Sequence, residues 1–179
     1  GDAYSGKKGY SLTTLPTSIG TRLLDQENFY GGNLMLKWNK PVGEIDFDLS
    51  TYFDYNYRDS FPVITQEIMT YNVDLQGTYK TGNHTLVSGV EYRYIMDQLE
   101  NTSSLIYTPN SSSVSIASFF VQDKYDFTES FSLTLGSKFD YNDYTNFEIQ
   151  PSARVLYKID DNNSIWASAS RAVRTPSRG

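Results

Sequence analysis

The sequence predicts an all-β fold, an antiparallel up-and-down meander of about eight strands that forms part of a transmembrane β-barrel. Three observations carry that expectation. Aliphatic stripes on one strand face are bracketed by aromatic residues. Tight turns alternate with longer connections along the chain. No segment shows a helical period, and no apolar run approaches the roughly 18 residues a membrane helix needs.

The strand-like segments lie near Phe29–Asn39, Ile45–Arg58, Glu67–Lys80, Thr85–Asp97, Val114–Asp126, Phe131–Asn142, Glu148–Lys158 and Ser164–Ala172. In the first, Trp38 sits one residue before the segment's end. The second carries Ile45, Phe47, Leu49, Thr51, Phe53, Tyr55 and Tyr57 on one face, and Asp46, Asp48, Ser50, Asp54 and Asn56 on the other. The third repeats the scheme with Tyr71, Val73, Leu75, Gly77 and Tyr79 against Asn72, Asp74, Gln76 and Thr78. Leu86, Val90, Tyr92 and Tyr94 then oppose Glu91, Arg93 and Asp97.

The clearest case is Phe131, Leu133, Leu135, Ser137, Phe139 and Tyr141, with Ser132, Thr134, Gly136, Lys138, Asp140 and Asn142 opposite. In this strand and in Tyr71–Tyr79 the bracketing aromatics are eight residues apart. At about 3.4 Å per residue and a tilt of roughly 40°, that spacing projects to about 20–25 Å, close to the apolar band between a barrel's two aromatic girdles. The aromatics expected at the two membrane interfaces are Trp38, Phe47, Tyr55, Tyr57, Tyr71, Tyr79, Tyr92, Tyr94, Tyr125, Phe131, Phe139 and Tyr141. The polar residues expected to face a wet lumen are Asp46, Asp48, Asp74, Glu91, Arg93, Lys138, Asp140 and Arg154. A charge facing lipid at the midplane costs about 2–4 kcal/mol, which is the pressure behind this segregation.

Lys40–Glu44, Thr81–His84, Thr128–Ser130 and Asp160–Asn163 read as tight turns, rich in Gly, Asn, Asp and Ser. Ser5–Asn28, Asp59–Gln66 and Gln98–Ser113 read as longer loops, with only Asp143–Phe147 short on that side. Short turns at one rim and long loops at the other are the polarity of outer-membrane barrels. The opening Gly-Asp-Ala-Tyr reads as the end of a strand already under way, and the final Arg-Thr-Pro-Ser-Arg-Gly as a stop short of a closing strand.

Composition narrows the function. Aromatics form 15% of the 179 residues, 15 of them Tyr, which suits rings held half in lipid and half among headgroups. A mean hydropathy of −0.48 would by itself suggest a water-soluble protein, but barrels defeat that test because only alternate residues face lipid. The net charge of −6 argues against a nucleic-acid partner. Without cysteine there are no disulfides or thiolate metal sites. His84 is the only histidine and falls in a tight turn, where it reads as solvated, so no nucleophile–base pair or histidine metal site is expected. Asp46, Asp48 and Asp54 alternate along a strand and do not wrap a loop as calcium ligands do, and no cofactor is expected.

Ala117-Ser-Phe-Phe-Val-Gln-Asp-Lys-Tyr125 and Leu133-Thr-Leu-Gly-Ser-Lys-Phe-Asp-Tyr141 come first in a series that continues through Gln150-Pro-Ser-Ala-Arg154. The series ends with Ile165-Trp-Ala-Ser-Ala-Ser-Arg-Ala-Val-Arg-Thr-Pro-Ser-Arg178. Together they resemble the barrel domain of TonB-dependent outer-membrane receptors, where F-x-Q-D, L-T-L-G-x-x-x-D-Y and S-R-A-x-R-T-P-S segments follow in this order. The resemblance implies a 22-stranded barrel around an N-terminal plug. Residues 1–179 are then one partial barrel domain, about a third of the wall, with the plug, the TonB-engaging segment and the terminal strand lying outside them. It implies a location in the outer membrane and contact with its lipid. It further implies import of a large scarce nutrient, a ferric siderophore foremost, with TonB, the iron chelate, the plug and the remaining barrel as partners. Within that segment Arg171, Arg174 and Arg178 suit an architectural or loop-rim role.

Two other readings compete. One is a complete eight-stranded outer-membrane barrel with a structural or adhesive role; the other is a soluble carbohydrate-binding β-sandwich. A barrel segment exposes unpaired edges and a broad apolar face, both invitations to aggregate. The chain alone is therefore expected not to give a stable monomer in water. Analytical ultracentrifugation with thermal melting checks this, and a sharp, cooperative melt of a detergent-free monomer would overturn the barrel-segment expectation.

Overall fold

A computed structural model of the chain describes residues 1–13, 22–60, 64–101 and 106–174. They form one nine-stranded sheet in which each strand is hydrogen-bonded to its neighbours in sequence order. The strands are β1 (Asp2–Thr13), β2 (Arg22–Val42), β3 (Ile45–Ser60), β4 (Ile64–Thr81), β5 (His84–Glu100), β6 (Ser111–Asp126), β7 (Phe131–Asn142), β8 (Asn146–Lys158) and β9 (Ser164–Ser170). This is the antiparallel meander that the alternation predicts, with the eight expected strands appearing as β2 to β9. A β-sandwich would require a second, facing sheet. The described residues supply a single one.

The segment expected as a long loop from Ser5 to Asn28 is different. Its flanks are paired strand, from Ser5↔Tyr30 through Lys8↔Glu27 to Thr13↔Arg22. Likewise β3 and β4 reach Ser60 and Ile64, and β5 and β6 reach Glu100 and Ser111, well into the expected loops. Residues 14–21, 61–63 and 102–105 of those connections lie outside the described residues. The physical reason is length. About 9–11 residues suffice for a tilted strand to cross a bilayer, whereas β2 has 21 and β4 has 18. Beyond the apolar band the backbone ladder continues, but no face needs hiding, so the alternation that marks a strand is missing.

By its internal contacts the chain divides into two compact units. Unit 1 comprises Gly1–Met35, Tyr52–Tyr71 and Tyr94–Val114; unit 2 comprises Leu36–Thr51, Asn72–Arg93 and Ser115–Gly179. Among the described residues Leu99 and Val114, both in unit 1, are the only buried apolar side chains. A protein of this size normally hides a contiguous core. Here most large apolar side chains remain uncovered.

Unit 2 holds the tight turns, each with its own local chemistry. Gly43 and Gly82 take positive φ, +64° and +57°, at the first position of two-residue hairpins, where a type II′ turn calls for glycine. Thr128 Oγ1 accepts the backbone N–H groups of Ser130 and Phe131 at 3.2 and 3.0 Å. Asn142, almost wholly buried, accepts the N–H groups of Tyr144 and Thr145 on Oδ1, both at 2.9 Å, and donates from Nδ2 to Thr145. Asn146 closes that connection in the left-handed region at φ 63°, which Asn tolerates better than most residues.

Strand β9 was expected to run to Ala172 and stops at Ser170. Its last pair is Ser152↔Ser170, and the next position on β8 is Pro151. Arg171 N–H donates to the Pro151 carbonyl at 3.0 Å. Pro151 has no N–H to return, so the ladder ends there. Val173 N–H then turns to Gln150 Oε1 at 3.3 Å, and the Arg171 guanidinium takes the carbonyl of Ile149 and, at 3.1 Å, Glu148. Side chains thus satisfy the groups that the ladder leaves behind.

The turn Asp160–Asn163 gives a pH-dependent test. Asp160 Oδ1 accepts the Asn162 and Asn163 backbone N–H groups, both at 2.8 Å, and Asn163 Nδ2 donates to both carboxylate oxygens. The bond from the Asn163 side chain, then those from the backbone, favour the ionised form and hold the pKa below the ordinary 3.8. A depressed folded-state pKa contributes stability above the unfolded value and loses it as pH falls through the folded one. The protection of the Asn162 and Asn163 amides in micelles, taken relative to their intrinsic exchange rates, should therefore fall as pH drops below 3.8. Asp160→Ala should show little protection at any pH, and equal protection in the two proteins would remove this role.

Candidate functional site

The two faces of the strands carry the chemistry, and register shows which side chains share each. In unit 2, Phe119 pairs with Phe139 and Phe139 with Ile149; Tyr125 pairs with Leu133, Phe131 with Tyr157, and Tyr141 with Phe147. Directly paired residues project to the same side. Phe119, Phe139 and Phe147 stack in sequence, with ring centroids 6.1 and 6.3 Å apart. Near the Thr128 turn, Phe127 lies between Tyr125 at 4.6 Å and Phe131 at 5.3 Å. Trp38, Phe47, Tyr79 and Tyr92 occupy the corresponding alternate positions of β2, β3, β4 and β5. Trp38 is 47% exposed, Tyr92 50% and Tyr141 57%, so this face is apolar yet covered by none of the described residues.

Unit 1 continues the same alternation. Tyr30 stacks on Tyr57 at 4.6 Å and meets Tyr55 at 6.0 Å, and Phe53 meets Tyr71 at 4.8 Å. Tyr94 follows Tyr92 on the same side of β5. All twelve aromatics singled out from the sequence therefore occupy the apolar-face positions of their strands.

The opposite face of unit 2 carries a chain of fixed charges. Glu91 bridges Arg93 at 2.7 Å and Lys138 at 3.7 Å, and Lys138 also meets Asp140 at 3.2 Å. Arg93 Nε donates to Asn72 Oδ1 at 3.3 Å, and Asp140 accepts from Gln150 at 2.5 Å. Asp48 accepts from Asn39 at 2.5 Å, while Asp46 and Asp74 share its face by alternation. Arg154 lies over the ring of Trp166 at 5.4 Å. The eight polar residues singled out thus sit opposite the aromatics, though they do not form one cluster. Most of these pairs are partly exposed, and each such pair contributes about 0.2–1 kcal/mol at most. They fix side chains in place more than they stabilise the fold.

Several participants had escaped the sequence reading. Glu27 pairs with Arg58 at 2.5 Å, but Glu27 fell in the expected loop. Tyr4 Oη accepts from Asn56 at 2.5 Å, crossing over Gly31, where a Cβ would collide with the Tyr4 ring and the Tyr55 carbonyl. His84 was expected to be a solvated turn residue. It opens β5, with Nδ1 2.8 Å from Asp123 Oδ2 and its ring 4.6 Å from Tyr125. Asp123 pairs with Leu135 and is therefore a carboxylate on the apolar side, beside the turns. Odd–even position would have flagged Asp123; nothing in the sequence ties it to a residue 39 positions earlier.

No group of three or more His, Asp or Glu side chains among the described residues is placed to hold a metal. What the geometry provides is a wall with one apolar and one charged side. Residues 2–179 match the family model described as TonB dependent receptor-like, beta-barrel. The chain belongs to the TonB-dependent receptor family. That family is one of transport receptors, not an enzyme class, and its barrels are outer-membrane proteins.

Solved structures agree on the fold. The siderophore receptor PirA from Pseudomonas aeruginosa superposes with a TM-score of 0.70 at 16% identity, over 87% of this chain and 31% of the receptor. PirA from Acinetobacter baumannii gives 0.71 at 15% identity, over 84% of this chain and 26% of the receptor. The chain thus spans between a quarter and a third of the length of these relatives, at an identity that shows the fold alone. A search of curated protein sequences finds no match.

Proposed function

We propose that this chain is part of the barrel wall of an outer-membrane receptor that imports a large scarce nutrient, a ferric siderophore foremost, with energy delivered through TonB. The observation that carries the reading is the family match across residues 2–179 on a sheet whose apolar face none of the described residues covers. The two structural relatives are named as siderophore receptors, which favours an iron chelate over other cargo. In this reading residues 1–179 are a partial barrel domain whose remaining wall and interior plug complete the transporter.

The faces take their roles accordingly. Trp38, Phe47, Tyr79, Tyr92, Phe131 and Tyr141, with the other aromatics of their face, meet the bilayer, the rings marking its two interfaces. Asp46, Asp48, Asp74, Glu91, Arg93, Lys138, Asp140 and Arg154 face a wet interior. The His84–Asp123 pair beside the turns lies at the headgroup level, where a paired charge is tolerated.

The transport reading is tested in the cell. Disrupting the gene should abolish growth on a ferric siderophore as sole iron source and uptake of its radio-iron label. A proton uncoupler should reduce wild-type uptake to the same level. Full uptake in the disrupted strain, or uptake indifferent to the uncoupler, would overturn the proposal.

Face assignment has its own test, by urea unfolding of the whole receptor in lipid vesicles. Leu75→Arg, midway between Tyr71 and Tyr79, should destabilise by about 2–4 kcal/mol. Gln76→Arg on the other side should stay within about 0.5 kcal/mol. Equal losses would sink the assignment.

A further inference from the structure

We propose that the apolar face of β3–β6 carries a seat for an amine-headgroup phospholipid, phosphatidylethanolamine, beside the Gly82 turn. This seat presupposes that the face meets the bilayer, and it names one lipid within that bilayer. Two features meet along β5: a carboxylate beside aromatic rings at the turn end, and a notch in the apolar surface further along. Both lie in unit 2, on strands that are paired on either side. The rest of the wall joins elsewhere, at the sheet's edges β1 and β9.

The carboxylate is Asp123. Its register partner Leu135 puts it on the apolar side, and 35% of its side chain is exposed. A carboxylate only accepts, so its Oδ2 takes the proton of His84 Nδ1 across 2.8 Å. Oδ1 has no hydrogen-bond partner among the described residues. Rings continue outward from the pair: Tyr125 lies 4.6 Å from His84, Phe127 4.6 Å from Tyr125, and Phe131 5.3 Å from Phe127. A carboxylate among aromatic rings attracts an ammonium, both by its charge and through the rings' negative faces. The chain itself supplies no such cation here. Every Lys and Arg of β3–β8, from Arg58 and Lys80 to Arg154 and Lys158, takes the opposite strand parity.

The notch opens four residues further along β5. Because β4 ends at Thr81 and β5 starts at His84, counting outward from this two-residue turn sets Gly77 opposite Ser88. Two short residues thus meet where the face is otherwise built from Phe47, Tyr79, Leu86 and Phe119, leaving a groove of about 400 Å³. Four residues at about 3.4 Å each, tilted by roughly 40°, place the groove about 10 Å nearer the midplane than His84. A lipid's acyl chain leaves its headgroup in that same direction. Asp123 therefore selects the head, and the groove receives hydrocarbon that a free amine would not supply.

Native mass spectrometry of the whole gene product, stripped of lipid in detergent micelles, reads the seat. The probes are phosphatidylethanolamine and phosphatidylglycerol with identical acyl chains, supplied in equal amounts. Both carry the phosphate, and only the first carries the ammonium. Bound phosphatidylethanolamine is expected to exceed phosphatidylglycerol. Asp123→Asn should cut that preference by about fivefold or more, through loss of the contact between ammonium and carboxylate. No preference in the wild type, or the same preference in Asp123→Asn, would overturn the proposal. Heat-modifiable gel mobility reports folding of each variant. Should Asp123→Asn lose it, Ser88→Leu at an exposed position decides: a lower preference supports the seat, and an unchanged one overturns it. Lipid retention is read without iron or energy, so its failure is distinct from a failure of uptake.

Discussion

The inter-strand ladder is the constraint on which everything else in this chain depends. A water-soluble domain shares its stability between backbone pairing and a buried core. Here the core is almost absent, since Leu99 and Val114 alone are buried apolar side chains among the described residues. The backbone must therefore be satisfied strand by strand, with no help from packed layers. In lipid, where an unpaired N–H or C=O costs several kcal/mol, that is the only admissible arrangement besides a helix. Register then decides which side chains share the apolar face and which the charged one, and a slip of one residue would exchange the two faces completely.

That dependence explains which parts of the fold were legible in the sequence. Where a strand crosses the apolar band its alternate residues must be apolar, and Phe131–Tyr141 or Tyr71–Tyr79 could be read directly. Turns were legible because positive φ and side-chain capping demand particular residues, as at Gly43, Gly82 and Asp160. The outer reaches of β1 and β2 were not. Ser5–Thr13 and Arg22–Asn28 are strand because their backbones pair, a property that leaves no imprint on side-chain polarity once both faces are wet. The same blindness hid the Glu27–Arg58 contact, whose partners lie on strands that had been read as loop and wall.

The candidate site was legible as a set of faces and illegible as a set of partners. Parity alone assigns Glu91, Arg93, Lys138 and Asp140 to one side. It does not reveal that Glu91 serves two cations, or that Arg154 makes no ion pair among the described residues and lies over Trp166 instead. Those facts depend on which strands are adjacent and how far one has slid along the other. Asp123 shows the limit from the other direction. Its position puts a carboxylate on the apolar side, an apparent error until His84 is found 2.8 Å away.

Pro151 bears on how this part of the wall assembles. A hairpin closes from its turn outward, one pair at a time, and nothing intrinsic tells it where to finish. From the Asp160 turn, β8 and β9 zip through seven pairs, from Lys158↔Ser164 to Ser152↔Ser170, and meet a residue that cannot reciprocate. Proline is thus a terminator written into the strand that serves as template, not into the strand being added. Arg171 then works as a latch, holding the departing chain by the carbonyl that pairing has abandoned. The length of β9 is in this sense measured by β8.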